Sequence, residues 1–166
     1  ESITLSNSIT TLEDDTFRES GLRSIVLPDS ITSLGKAVFY ECEQLESVTL
    51  PNSLTTIGDY SFRASGLLSI VLPDSITSLG ASVFSQCEQL ESVTLSNSIT
   101  TLEDDTFRAS GLLSIVLPDS ITSLGASVFM QCEQLESVTL PNSLTTIGDY
   151  SFYGSGRRSI VLPDSI

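Results

Sequence analysis

The apolar positions of the chain recur in one short phrase. Leu45-Glu-Ser-Val48-Thr-Leu50 has apolar residues at its first, fourth and sixth places and polar residues between, with β-branched members that favour a short strand. The closing leucines of this phrase fall at 5, 27, 50, 72, 95, 117, 140 and 162. Their spacing alternates between 22 and 23 residues, so the true unit is a 45-residue pair. The extra residue has a definite place. Phe17 reaches Leu22 through Arg-Glu-Ser-Gly, whereas Phe39 reaches Leu45 through Tyr-Glu-Cys-Glu-Gln. A 90-residue period overlies this one: Ser6 and Ser96 stand where the other units have proline, and Glu13–Asp15 returns as Glu103–Asp105.

Within each unit, proline at 28, 51, 73, 118, 141 or 163 ends ladder pairing after the first strand. Ser53-Leu54-Thr55-Thr56-Ile57 then spaces its apolar residues three apart, as a corner or a second short strand requires. Gly58-Asp59 and its equivalents turn the chain, and one Phe per unit (17, 39, 62, 84, 107, 129, 152) closes it. One unit alone cannot cover its apolar flanks. Stacked at roughly 4.8 Å per coil, the units bury Leu, Val, Ile and Phe as continuous ladders. The pattern predicts a single solenoid over residues 1–166 with eight short parallel strands on one face and little helix.

The string Cys42-x-x-Leu45-x-x-Val48-x-Leu50-Pro51-x-Ser53-Leu54-x-x-Ile57-Gly58-x-x-x-Phe62 resembles the BspA-like, or treponemal-type, leucine-rich repeat, and the likeness extends over essentially the whole chain. It implies a right-handed, β-rich leucine-rich-repeat solenoid, with short parallel strands on one face and turns, 3₁₀ segments and short second strands elsewhere. It also implies an extracellular or cell-surface location and a part in adhesion. Three features depart from the pattern. Alternate coils lack the Cys (Ser20-Gly21, Ser65-Gly66, Ser110-Gly111), Glu13 and Glu103 replace the turn glycine, and Arg157 occupies a core-Leu column, as in a fraying last coil. Both termini fall inside coils and carry no polar cap, which suggests a piece of a longer array or an engineered unit. The ladders at Leu5, Ile9, Leu12 and Phe17 at one end, and at Ile160 and Leu162 at the other, are expected to lack cover and to favour end-to-end self-association.

Charge narrows the functional classes. Seven basic against twenty-one acidic residues give a formal charge of −14, which repels a nucleic-acid backbone or an anionic membrane surface. There is no His and a single lysine, Lys36, so His-based triads, His-ligated metals and Schiff-base chemistry are disfavoured, and serines have no base to activate them. The chain reads as no enzyme, with no cofactor. No apolar run approaches the ~20 residues of a membrane helix, so no membrane insertion is expected. Cys42, Cys87 and Cys132 stand two coils apart, roughly 9.5 Å. That exceeds the ~7 Å a disulfide spans, and the residues read as buried, reduced thiols. The runs Glu13–Asp15 and Glu103–Asp105 lie four coils, roughly 19 Å, apart. They cannot share a calcium ion, and they read as a solvated acidic edge with no metal site.

The strand face carries the functional expectation. With Leu45, Val48 and Leu50 inward, three columns point outward. The first runs Arg23, Glu46, Leu68, Glu91, Leu113, Glu136, Arg158; the second is Ser throughout; the third alternates Thr and Val. Outward Leu68 and Leu113 call for something to cover them. The chain therefore reads as a non-enzymatic protein-recognition or adhesion module of a surface or secreted protein. Its contact residues are Glu46, Ser47, Thr49, Leu68, Ser69, Val71, Glu91, Ser92, Thr94, Leu113, Ser114, Val116, Glu136 and Thr139, and its partner is a protein, basic, or a host surface. An engineered or purely structural scaffold or filament without a ligand is the alternative. A further one is an ice-binding solenoid using the column Thr10, Thr32, Thr55, Thr77, Thr100, Thr122, Thr145.

Overall fold

The computed structural model describes residues 2–156 and 163–164. Every strand-like phrase within that range forms a strand. One series lines the first face: β1 (Ser2–Ile3), β3 (Ser24–Val26), β5 (Ser47–Thr49), β7 (Ser69–Val71), β9 (Ser92–Thr94), β11 (Ser114–Val116) and β13 (Ser137–Thr139). The eighth expected strand, together with Arg157, Arg158, Ile160 and Leu162, lies outside the described residues. A second series follows the proline column: β2 (Thr11–Leu12), β4 (Ser33–Leu34), β6 (Thr56–Ile57), β8 (Ser78–Leu79), β10 (Thr101–Leu102), β12 (Ser123–Leu124) and β14 (Thr146–Ile147).

All pairing is parallel and absorbs the 22/23 alternation. Ser2 pairs with Ser24 and Ser24 with Ser47, while Thr11 pairs with Ser33 and Ser33 with Thr56. The first face divides into β1-β3-β5, β7-β9 and β11-β13, and the second into β2-β4-β6-β8 and β10-β12-β14. A backbone bond still crosses the gaps on the first face, as from Leu68 N to Glu46 O (3.2 Å) and from Leu113 N to Glu91 O (3.2 Å).

The third side is built of turns, with neither α- nor 3₁₀-helix among the described residues. Each coil instead places two residues in the left-handed region, four apart around the Phe: Asp15 and Glu19 (φ 56° and 55°), Ala37 and Glu41, Tyr60 and Ala64, and onward. In the first coil, Asp15 and Glu19 are the third residues of turns closed by Thr16 N→Glu13 O and Ser20 N→Phe17 O. A positive φ at that position reverses the peptide and stops a helix from propagating. The freed N–H groups point along the solenoid axis. Asp15, Phe17 and Glu19 donate to Lys36, Val38 and Tyr40 of the next coil at 2.8–2.9 Å.

Seven Phe rings fill this side as one stack, with centroids 5.2–5.7 Å apart. The five inner rings are fully buried, as are Leu45, Leu54, Ile76 and Leu90. Leu12, expected to lack cover, is 3% exposed, because its side chain points into the interior in register with Leu34. Leu5, Ile9 and Phe17 are partly buried against the core.

The alternation of coil types has a steric cause. Where the extra residue is inserted, a turn closes from Leu45 N to Cys42 O (2.9 Å), and the Glu43 carbonyl points toward the next coil. Gly66 lies over that oxygen, so a Cβ there would overlap it; Gly111 stands in the same relation to Glu88. At Gly21 the Cβ position meets nothing within 4 Å. A long coil therefore demands a following coil with glycine.

Candidate recognition face

Strand alternation places the expected contact residues together. Every described three-residue strand of the first face reads exposed, buried, exposed, so Ser47 and Thr49 flank buried Val48, and Ser69 and Val71 flank buried Ile70. Ser92 and Thr94, Ser114 and Val116, and Ser137 and Thr139 repeat the arrangement. Glu46, Leu68, Glu91, Leu113 and Glu136 are exposed just before their strands. All fourteen residues thus share one face. Val26, Val71 and Val116 are the most exposed aliphatic side chains on it (67, 65 and 67%), with Leu68 at 48% and Leu113 at 44%. Exposed acids border this apolar strip on both sides: Glu46, Glu91 and Glu136 before the strands, and Asp29, Asp74 and Asp119 after the proline column.

Two clefts interrupt the strip, and sequence reasoning missed them. One, of about 420 Å³, is lined by Thr4, Leu5, Asn7, Val26 and Pro28 among others, and the other, of about 410 Å³, by Thr94, Leu95, Asn97, Val116 and Pro118. Both follow the coils in which Ser6 and Ser96 replace proline. Elsewhere that column holds a ring, and Pro51 and Pro141 are buried. Ser96 bends inward, donating to Ile76 O at 2.6 Å and accepting from Ser98 N at 3.0 Å. The next coil registers the change. Ser53, Ser75 and Ser143 donate to carbonyls of the preceding coil, whereas the buried hydroxyls of Ser30 and Ser120 have no partner. The signal was the 90-residue period itself.

Other candidate groups have structural duties. The acidic edge is more than solvated. Asp14, Asp59 and Asp104 each turn Oδ1 onto a backbone N–H of the next coil, at Lys36 (2.7 Å), Ala81 (3.1 Å) and Ala126 (2.7 Å). Lys36 Nζ pairs with Asp59 Oδ2 at 3.0 Å. Among the described residues no group of three or more Cys, Asp or Glu could hold a metal ion. The three thiols are buried and free, and each donates to a Phe carbonyl of the preceding coil, Cys42 to Phe17 and Cys132 to Phe107. Burial pushes all three thiols up, Cys87 to about 11. On the Thr edge, Thr32, Thr55, Thr122 and Thr145 donate to the carbonyls of the Thr one coil back. An Arg–Tyr cluster that sequence reasoning also missed sits beside the Phe stack, with the Arg18 guanidinium 4.8 Å from the Tyr40 ring centre and that of Arg63 5.6 Å from it. Among the described residues no helix is long and apolar enough to cross a membrane.

A model of the BspA-type leucine-rich repeat region matches residues 1–112 and 55–166, in six copies. The chain belongs to this family. Solved structures agree with the BspA-type assignment. A T. pallidum leucine-rich repeat protein is 29% identical, superposes with a TM-score of 0.84, and is matched over 88% of this chain and 70% of its own. One from Bacteroides ovatus is 27% identical with a TM-score of 0.74, matched over 95% of this chain and 48% of its own. The pneumococcal vaccine antigen PcpA, 24% identical with a TM-score of 0.69, shares the fold over 95% of this chain and 44% of its own. The BspA-type chain thus spans about half the length of two of these three proteins. No curated protein matches it in sequence.

Proposed function

We propose that this BspA-type array is a non-enzymatic recognition module that acts outside the cell, at a surface, and binds a protein partner through its strand face. The observation that carries the reading is the line of Val26, Val71 and Val116, about two-thirds exposed and sharing one face with exposed Leu68 and Leu113, on a chain of charge −14. Exposed aliphatic side chains repeated along one face of so charged a molecule mark an interaction surface. Full burial of a Val or Leu side chain is worth roughly 1.5–3 kcal/mol, so four of them sustain a micromolar contact after ordering costs. The acidic borders select a basic partner and speed its association at low salt.

The test is selection of a random-sequence peptide library on the immobilised chain and on a Val71→Glu/Val116→Glu variant. Both valines are exposed, so each change should alter stability by no more than about 0.5 kcal/mol. Peptides selected on the original chain should be basic and should lose binding to the variant. If they bind the folded variant unchanged, recognition lies elsewhere, with the Thr edge the next surface to test.

A further inference from the structure

The two clefts share chemistry, orientation and a fixed separation. Each lies between a Thr-bearing and a Val-bearing coil, Thr4 with Val26 and Thr94 with Val116, and each is lined in part by a half-buried proline, Pro28 or Pro118. They stand four coils apart, about 19 Å at the inter-strand spacing of a parallel sheet. An extended peptide rises about 3.3 Å per residue, so six residues cover that distance, and an even number brings both side chains to the same side of the peptide. The surface between the clefts is the exposed row Thr49, Val71, flanked by Glu46 and Glu91 on one side and by Asp29 and Asp74 on the other. The coil ladders already engage many of the backbone groups along this face, so an occupant is held by side chains and charge.

We infer that the Ser6 and Ser96 clefts are paired anchor pockets for a basic, extended peptide segment lying along the solenoid axis, with two apolar side chains six residues apart. This rests on the strand-face reading and adds the form of the partner. Small residues of the segment lie on the Thr/Val row, and Lys or Arg stems at the intervening positions reach the acidic borders. The 90-residue period then has a purpose: replacing proline by serine in every fourth coil opens a pocket at the pitch of six peptide residues.

The probes are two fluorescein-labelled twelve-residue peptides of Thr and Lys with equal numbers of lysines, one with Leu at positions 3 and 9 and the other with Leu at positions 3 and 8, read by fluorescence anisotropy. The 3,9 peptide should bind saturably, more weakly as salt rises, and at least tenfold more tightly than the 3,8 peptide. A Ser6→Pro/Ser96→Pro variant carries the residue that the other coils hold there and should bind the 3,9 peptide at least tenfold more weakly. Equal binding of the two peptides, no saturable binding of either, or undiminished binding by the folded proline variant overturns the inference. The spacing comparison uses the unaltered chain, so it decides even if the proline variant does not fold. Loss of binding on Val71→Glu/Val116→Glu, with proline substitution harmless, would leave the strand face standing and remove only the pockets.

Discussion

The Cys87 thiol donates to the carbonyl oxygen of Phe62, 2.9 Å away and one coil back, and lies 3.5 Å from the Ser65 hydroxyl. The thiol is fully buried, and that burial holds its proton on up to about pH 11, against an ordinary value of 9.0. In the unfolded chain the proton leaves near the ordinary value, so the folded state binds more protons between the two. Stability is therefore complete below about pH 9 and falls by about 2–3 kcal/mol as pH rises to 11. Urea unfolding at pH 8 and pH 10.5 should show this fall, and a Cys87→Ala variant should show a smaller one. An iodoacetamide time course at pH 8 should label all three thiols far more slowly in the native state than in denaturant.

Gly66 and Gly21 occupy the same column and should respond in opposite ways. Ala at 66 meets the Glu43 carbonyl, so Gly66→Ala should cost about 1–3 kcal/mol, as overpacking against backbone does. Gly21→Ala meets nothing and should stay within about 0.5 kcal/mol. Thermal melts of the two variants give the comparison directly.

Ala64 and Ala109 hold φ of 55° and 52°, where a Cβ is strained by roughly 1–2 kcal/mol. Glycine removes that strain and adds a smaller entropic cost in the unfolded chain, about 0.5–1 kcal/mol. Ala64→Gly should therefore raise the urea midpoint slightly. A drop would mean that the methyl packing outweighs the strain.

Asp104 tests the structural reading of the acidic column. Asp104→Asn keeps an oxygen for the Ala126 N–H and should be nearly neutral, while Asp104→Ala should cost about 1 kcal/mol. Millimolar calcium should leave the melting temperature of the unaltered chain where it was.

On the Thr edge, four hydroxyl protons are committed to backbone carbonyls. The expected result of a freezing assay at millimolar protein is no thermal hysteresis. A measurable freezing gap would make that edge the functional surface.

What the sequence could show was whatever depends on side-chain period. Val48 inward between outward Ser47 and Thr49, the 22/23 register and the Phe column all follow from spacing alone, and the structure reproduces them. Backbone conformation was less legible. Asp15, Glu19 and Tyr60 adopt left-handed φ without the Gly or Asn that would announce it, because inter-coil hydrogen bonds and the Phe stack impose the turn from outside. The roles of Asp14, Asp59 and Asp104 were hidden for a similar reason: the N–H groups they accept from belong to a coil some 22 residues away. The clefts were written in the sequence as serine for proline, but their volume depends on how neighbouring coils settle around the missing ring.

The glycine that sits over a bulged carbonyl also governs how such a gene can change length. Unequal recombination that slips by two coils returns every long coil to a neighbour bearing glycine, and the enlarged or shortened product folds as before. A slip by one coil that sets two long coils in succession drives a Cβ against an oxygen at the junction. Copy number in this lineage should accordingly rise and fall mainly in steps of 45 residues, and an odd step should survive only where it joins two short coils or where a second mutation to glycine accompanies it.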